Sequence, residues 1–223
     1  MQSIFREYDI RGIFEKELTK DSVTKIGYFL GLISKGNFAA IGYDARTHSP
    51  QLFEWLSEGF TQAGISVLGM GLVTTGVNYF CAYNAFEIEN KQTTPDICVM
   101  ITGSHNPPEY NGFKITLNKL PFFGKDISAL GVRVLKEKIE PASILGKQYT
   151  IDAKSKYIDY VVNAFNSCKD FKQNIVLDCG NGVAGVVLPD ILQKLNINGK
   201  FLFLEPDGTF PNHHPDPSEE HNL

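Results

Sequence analysis

The sequence predicts an α/β protein in which short apolar strands alternate with amphipathic helices. Its 223 residues are 43% hydrophobic and 12% aromatic, which is enough to bury a sizeable core and excludes a disordered or low-complexity protein. Apolar runs with strand character and segments with helical periodicity follow one another along the chain, a pattern typical of a layered sheet. The length fits one large domain or two small ones.

The first 140 residues contain a long series of such elements. A helix is predicted over 21–33, after Thr19, and a second over 49–63, where Ser49 can cap the helix with Pro50 at its first position. Further helices are predicted at 75–86 and 127–139, and strands at 38–43, 65–68, 97–101 and 112–117.

The segment 141–150 contains proline, serine and glycine and is predicted to be a linker. A second α/β unit follows, with helices predicted at 151–168 and 185–195 and strands at 174–178 and 200–205. One such unit is small for an independent domain. We therefore predict a domain I at 1–140 and an incomplete domain II of the same type at 151–223.

Charge and cysteine usage narrow the class of protein. The formal net charge of −4 argues against a nucleic-acid partner but leaves anionic small substrates open. Ten charged residues among the first 30 leave no room for a secretory signal, and the uncharged run 59–86 is too polar to cross a membrane. Four scattered cysteines without a CxxC pair suggest free thiols. We expect a cytoplasmic protein with no membrane partner.

The strongest candidate for chemistry is TGSHNPPEYNGFK, residues 102–114. Its glycines and prolines fix a loop that places Ser104 and His105 at the carboxyl end of a buried strand, where ligands of open α/β sheets bind. Ser104 can serve as a nucleophile or a phosphoryl carrier, and Lys114 can face the same anion. From the residues alone, a rigid turn with a solvated serine is an equally weighted alternative.

Two other basic segments are weaker candidates. In FREYDIRGI, residues 5–13, Arg6 and Arg11 flank an acidic centre of Glu7 and Asp9, and Tyr8 adds an aromatic hydroxyl. Arginine suits bidentate phosphate recognition. A structural ion-pair cluster is the favoured interpretation of that segment taken alone. His48, next to GYDART, is interpreted as a loop residue rather than a catalyst.

A glycine-rich turn and the tail offer alternatives of other kinds. Gly180, Gly182 and Gly185 form GxGxxG after a predicted strand, and Glu205 follows at the spacing of a dinucleotide site, which suggests an oxidoreductase. A tight strand–helix turn without a cofactor is favoured. The histidines and acids of FPNHHPDPSEEHNL, 210–223, can bind a divalent metal, but a proline-fixed loop is favoured.

Taken together, these segments resemble the α-D-phosphohexomutases. TGSHNPPEYNGFK resembles the phosphoserine loop of that family, FREYDIRGI its amino-terminal signature, LDCGNGVAG (177–185) the start of its second domain, and FPNHHPDP the approach to its metal loop. The wording of YDIRG and NHHPDP is most similar to the bacterial phosphomannomutase/phosphoglucomutase branch. Phosphoglucosamine mutases are the runner-up, and the resemblance demotes the dinucleotide alternative.

The resemblance implies a three-layer α/β/α domain with a mixed sheet and a mutase that interconverts hexose 6-phosphate and hexose 1-phosphate, with mannose and/or glucose as the sugar. Ser104 would be the phosphoserine, and a hexose 1,6-bisphosphate the intermediate. Lys114 and Arg11 would transfer protons and orient phosphate. His105 would assist within the loop, and Tyr8 would line the sugar site.

The resemblance also implies cofactors and missing parts. Mg²⁺ would bind through the phosphate of Ser104, and glucose 1,6-bisphosphate or mannose 1,6-bisphosphate would activate the enzyme. The family's aspartate metal loop, sugar-reading loop and phosphate clamp are not found in these residues. We therefore expect an amino-terminal piece that needs the missing domains and is inactive alone.

Overall fold

A mixed seven-stranded sheet organises the part of the chain that the computed structural model describes, residues 4–216 and 218–220. The strands within those residues are β1 (Ile10–Ile13), β2 (Phe38–Tyr43), β3 (Ser66–Leu72), β4 (Phe86–Ile88), β5 (Lys91–Thr93), β6 (Ile97–Ile101), β7 (Tyr110–Leu117), β8 (Leu120–Pro121), β9 (Gln148–Thr150), β10 (Ile175–Asp178) and β11 (Gly199–Leu202). The sheet order is β1-β7-β6-β2-β3-β9, with β8 paired to β7. β2, β3, β6 and β9 are parallel, whereas β7 is antiparallel to β1 and β6.

Helices cover both faces of this sheet. They are α1 (Lys20–Ser34), α2 (Ser49–Gln62), α3 (Thr75–Cys81), α4 (Lys125–Lys136), α5 (Ala153–Ala164) and α6 (Leu188–Lys194). Alternate residues of a strand point to opposite faces, so Val99 and Ile101 of β6 join a core with α1, α2 and α4, while Cys98 and Met100 join a second core with α3, α5 and α6. The predicted three-layer α/β/α arrangement with a mixed sheet is confirmed.

Two helix starts show how far capping can be predicted. Thr19 caps α1 as part of a capping box with Ser22, because each side chain accepts a hydrogen bond from the other's backbone amide. The expected cap at Ser49 is wrong. α2 does begin at Ser49, but its hydroxyl donates to the Asp44 carboxylate at 2.7 Å instead of capping the helix.

The predicted helix 75–86 is wrong in its second half. α3 ends at Cys81, and Phe86 begins a short hairpin of β4 and β5. Glu89 and Asn90 form its turn with φ of 48° and 64°, a left-handed pair that matches the twist of a tight hairpin. The apolar run 75–86 therefore divides between a helix and a strand edge, which periodicity over a short window does not separate.

The last third of the chain packs against α3. α5, α6 and the parallel pair of β10 and β11 form this unit, and Ile158 and Ile191 complete the second core together with Val77. The helix expected over 185–195 is instead a 3-10 turn, Val183–Val186, followed by α6. The segment predicted as a linker ends in β9, which extends the first sheet beside β3. The domain boundaries at 140 and 151 stay predictions.

No helix of the described part of the chain combines the length and apolar character that a membrane crossing needs.

Candidate active site

The serine loop, residues 102–109, connects the carboxyl end of β6 to β7. Ser104 is exposed there and has a left-handed backbone with φ of 54°. Its amide donates to the Thr102 hydroxyl at 2.9 Å, and the amides of Asn106 and Tyr110 close two further turns of the loop. A left-handed residue other than glycine persists where its surroundings hold it. The loop is therefore held in one defined conformation, which exposes the Ser104 side chain to solvent.

Arg46 lies directly beneath this loop, with a fully buried side chain. Its guanidinium donates to four carbonyl oxygens at 2.6 to 3.1 Å, those of Ser104, Asn106, Pro107 and Tyr110. Burial lowers the pKa of Arg46, and the neighbouring Asp44 carboxylate opposes that shift. The loop backbone is thus anchored by one buried cation.

Asp44 joins the end of β2 to the same loop. Its carboxylate accepts from the Gly103 amide at 3.3 Å and from the Ser49 hydroxyl at 2.7 Å. One carboxylate oxygen also lies 3.3 Å from Nε of Arg46, so the two side chains form a buried ion pair. The Asp44 carboxylate thus links the serine loop to Arg46 and to the start of α2.

His48 supports the loop from a third direction. Its Nε2 donates to the Pro108 carbonyl at 3.0 Å, and its Nδ1 accepts from the Asn111 side-chain amide at 3.0 Å. The ring stacks on Phe14, which in turn stacks on Trp55. Burial lowers the pKa of His48, with the Arg46 charge acting in the same direction. The interpretation of His48 as a loop residue agrees with these contacts.

The amino-terminal basic segment meets the serine loop through Arg11. Its guanidinium donates to the Gly103 carbonyl at 2.7 Å and also binds the Asn106 side chain and the Asp9 carboxylate. Lys114 Nζ lies 3.8 Å from that same carboxylate. Asp9 therefore holds two cations beside the loop that carries Ser104.

Two clefts divide the expected site residues. The serine cleft, about 380 Å³, lies between the two units and is lined by Ser104, Thr102, Asp44, Asp178, His213 and Phe210, among others. The tyrosine cleft, about 550 Å³, is lined by Tyr8, Tyr79, Tyr83, Lys114, Lys119 and Phe123, among others. The structure thus brings Arg11 to the serine loop, and groups Tyr8 and Lys114 in the neighbouring cleft. His105 is exposed beside Ser104.

On the other side of the serine cleft, His213 of the second unit is held by contacts with His214 and Asp178. Its Nδ1 faces the His214 carbonyl at 2.9 Å and its Nε2 faces both oxygens of Asp178 at 3.2 Å. These acceptors raise the pKa of His213, the His214 carbonyl most strongly. The favoured interpretation of the tail as a fixed loop agrees with this arrangement, whereas His221 lies outside the described residues.

The described residues do not by themselves fit a magnesium ion. Among them, no group of three or more His, Cys, Asp or Glu side chains is placed to hold a metal. The carboxylates of the serine cleft are already bound: Asp44 to Arg46, Asp178 to His213, and Asp216 to the amide and hydroxyl of Ser218. A phosphate on Ser104 would add one kind of ligand, whereas Mg²⁺ at phosphoryl groups is usually also held by one or two free carboxylates.

Asp44 and Arg46 were not among the residues expected at the site. Their position directly after the strand 38–43 could have indicated that they belong to the site. β2 and β6 are parallel neighbours, so their carboxyl ends meet at one edge of the sheet. GYDART and the serine loop therefore leave the sheet side by side. The sequence showed both strands but not their pairing.

Comparison with known proteins gives one consistent family. The family model described as phosphoglucomutase/phosphomannomutase, alpha/beta/alpha domain I, matches residues 2–137, and that of domain II matches residues 155–223. A Pseudomonas aeruginosa protein named phosphomannomutase/phosphoglucomutase is 39% identical over 99% of this chain and 46% of its own length. A crystal structure of a phosphoglucomutase/phosphomannomutase family protein from Burkholderia thailandensis has a TM-score of 0.91 at 35% identity, covering 100% of this chain and 48% of that one. The chain spans about half the length of the curated relatives it matches.

The comparisons also bear on the phosphoglucosamine mutase and the dinucleotide-binding alternatives. A probable phosphoglucosamine mutase from Methanosphaera stadtmanae is less similar, at 31% identity over 97% of this chain and 47% of its own length. The glycine-rich turn at 180–185 lies inside the domain II match, which does not favour a dinucleotide site. Gly185 has a packing role, since a Cβ there would lie 2.1 Å from the Leu204 carbonyl oxygen.

Proposed function

Because this chain belongs to the phosphoglucomutase/phosphomannomutase family, we propose that it supplies the phosphoryl-carrying serine of a phosphohexomutase. The whole enzyme would interconvert hexose 6-phosphates and hexose 1-phosphates, with mannose and/or glucose as the sugar. The observation that carries the proposal is the exposed Ser104 on a loop fixed from beneath by Arg46 and from the side by Arg11. Such a loop holds a nucleophile in one place, which is what phosphoryl transfer requires of a protein.

The proposed reaction moves one phosphoryl group out and another back. The bond between phosphorus and the Ser104 oxygen breaks as phosphorus bonds to the free hydroxyl of a hexose phosphate. That hydroxyl loses its proton and the serine oxygen gains one, which leaves a free serine and a hexose 1,6-bisphosphate. After the bisphosphate turns over, its other phosphoryl group returns to Ser104, and the isomeric monophosphate leaves.

Arg11 and Lys114 have different parts in this proposal. Arg11 is buried and its terminal nitrogens bind the loop and Asp9, so it orients the loop and supplies positive charge. The side chain of Lys114 is 31% exposed, which leaves it free to exchange a proton with the reacting oxygens. His105 assists beside Ser104, and Tyr8, exposed in the tyrosine cleft, lines the sugar site.

Charge balance accounts for the proposed cofactors. A phosphoserine carries ~1.5–2 negative charges near neutral pH, so cations must face it. We assign Mg²⁺ to the whole enzyme, with the phosphate of Ser104 as one ligand. Glucose 1,6-bisphosphate or mannose 1,6-bisphosphate would activate it by phosphorylating a free Ser104.

The unpaired state of Cys81, Cys98, Cys168 and Cys179 supports a cytoplasmic location.

Exchange of Ser104 for alanine in the whole protein tests the proposal. We expect Ser104→Ala to lower turnover of glucose 1-phosphate by at least about 10³-fold, as loss of a covalent carrier does. Incubation with glucose 1,6-bisphosphate should add one phosphoryl group to the wild-type protein and none to the variant, measured by intact mass. Ser128→Ala, an exposed serine on α4, is the matched control. Near-normal turnover in Ser104→Ala would contradict the proposal.

A further inference from the structure

A single buried arginine, Arg46, donates hydrogen bonds to the backbone carbonyls of the serine loop. Four of the five nitrogen–hydrogen bonds of the Arg46 guanidinium reach carbonyl acceptors, two from Nη1 and two from Nη2, whereas Nε is buried without a hydrogen bond. The four terminal hydrogens serve the carbonyls of the loop and of Tyr110, and Nε faces Asp44 at 3.3 Å. Without this side chain, four part-buried carbonyls would lose their donor.

Only arginine can make this set of contacts. A lysine ammonium has three donors on one nitrogen and no planar fork, so it reaches at most part of the four carbonyls. The side chain of Arg46 has no exposed surface, so it does not touch a ligand in the cleft. Any influence of Arg46 on chemistry must therefore pass through the loop.

The opposite face of Arg46 meets the second unit. The ring of Phe210 lies 5.1 Å from the guanidinium carbon, in a cation–π arrangement. Gly208 packs so closely that a Cβ there would lie 2.4 Å from the Ala45 carbonyl oxygen. Phe210 thus lies on the side chain that holds the serine loop, and Gly208 packs on the backbone of residues 45–47.

We propose that Arg46 is a positioning residue that holds the serine loop in the conformation presenting Ser104 and docks segment 207–210 onto it. The proposal rests on the function proposed above for Ser104 as the carrier. Through Arg46, the position of the serine depends on how the second unit sits against the first. Loss of the guanidinium fork should loosen the loop while leaving the two cores intact.

The test compares Arg46→Lys with Arg133→Lys in the whole protein. Arg133 is a matched control because its guanidinium also lies over an aromatic ring, Phe29 at 4.7 Å, but on α4, away from the loop. We expect Arg46→Lys to speed hydrogen exchange of the Asn106 and Tyr110 amides by at least about 10-fold. Exchange in α1 should stay unchanged, and the control should behave as wild type.

Kinetics give a second readout. Arg46→Lys should lower kcat for glucose 1-phosphate by at least about 10²-fold with little change in KM, because it displaces the carrier without touching the sugar. If Arg46→Lys does not fold, Asp44→Asn serves instead, with the same loop-confined change in exchange expected at smaller size.

Two results would overturn the inference. One is wild-type exchange at Asn106 and Tyr110 in the variant that folds, and the other is an equal increase in α1, which indicates general destabilisation. The exchange readout does not depend on catalysis. Full activity of Ser104→Ala would therefore reject the proposed function and leave the result on loop positioning to be judged separately.

Discussion

Asp9 is the residue that links the two cations of the proposed chemistry. Its carboxylate pairs with Arg11 and lies 3.8 Å from Lys114 Nζ. Arg11 is 5% exposed and engaged with the serine loop, whereas Lys114 is partly open to the tyrosine cleft. Sharing one carboxylate keeps both side chains close without neutralising both, which leaves positive charge beside the loop that carries Ser104.

Lys114 provides the sharpest single-residue prediction. Lys114→Met in the whole protein should lower turnover by at least about 10²-fold, the lower range for a positioned proton transfer. Steady-state kinetics with glucose 1-phosphate measure this, and intact mass should show that Ser104 still accepts a phosphoryl group. Lys119→Met is the matched control, because Lys119 is an exposed lysine of the same cleft. A rise in KM alone would reduce Lys114 to a binding role.

At the residue scale, sequence reasoning predicted the side chains on the serine loop and its strand but missed those beneath it. Lys114 was expected from the motif 102–114, and alternation along β7 buries Phe113 in the core and leaves Lys114 partly exposed on the other face. Arg46 was missed because its acceptors are backbone carbonyls about 60 residues later in the chain. No residue type marks a carbonyl that needs a donor, so only the paired strands show this contact.

At the level of elements, the connection between β2 and α2 is the support of the site. Within a few residues it supplies Asp44 to a loop amide, Arg46 to loop carbonyls, and His48 to the loop and to Asn111. Sequence patterns predicted the flanking strands well: β2 and β6 match the expected 38–43 and 97–101 because both are continuous apolar runs. β3 extends to Leu72 through two glycines, and β9 is only three residues long, so composition did not reveal either.

The pKa of His48 makes this connection sensitive to acid. Burial holds that pKa below its ordinary value of 6.5. The neutral ring therefore contributes its full stability above about pH 6.5, and the contribution is lost as pH falls towards the folded-state pKa. Protonation at Nδ1 also removes the acceptor for the Asn111 amide.

We expect the free energy of unfolding of the wild type to fall relative to His48→Gln as pH drops from about 7.5 to about 5.5, by at most about 1.4 kcal/mol per pH unit, the slope of one proton. Denaturant unfolding at both pH values measures this difference. An equal loss of stability in wild type and His48→Gln would show that His48 does not titrate in this range.

For the molecule as a whole, the seven-stranded sheet and the pair of β10 and β11 differ in how completely their strands are buried. In β6 all five residues are buried, whereas in β10 the residues alternate between partly buried and exposed, with Val176 63% exposed. The second unit buries its helices against α3 but leaves one face of its two-stranded sheet open. A parallel pair of strands is stable when both faces are covered. The second unit should therefore be the less stable part of the 223 residues.

Hydrogen exchange and catalysis together test this description of the 223-residue chain. We expect the chain to fold, with amides of β10 and β11 exchanging faster than those of β2 and β6, because opening the partly exposed pair uncovers less apolar surface. We also expect it to lack measurable mutase activity with glucose 1-phosphate, Mg²⁺ and glucose 1,6-bisphosphate. The described residues bring Arg11 to the loop that carries Ser104, but the carboxylates of the serine cleft are already bound, so the charge of a transferring phosphoryl group would not be balanced by metal. The matched control is the same chain with Ser104→Ala, and turnover above that control would show that the active site is complete within these residues. Equal protection of β10 and β6 would show that the second unit is as stable as the first.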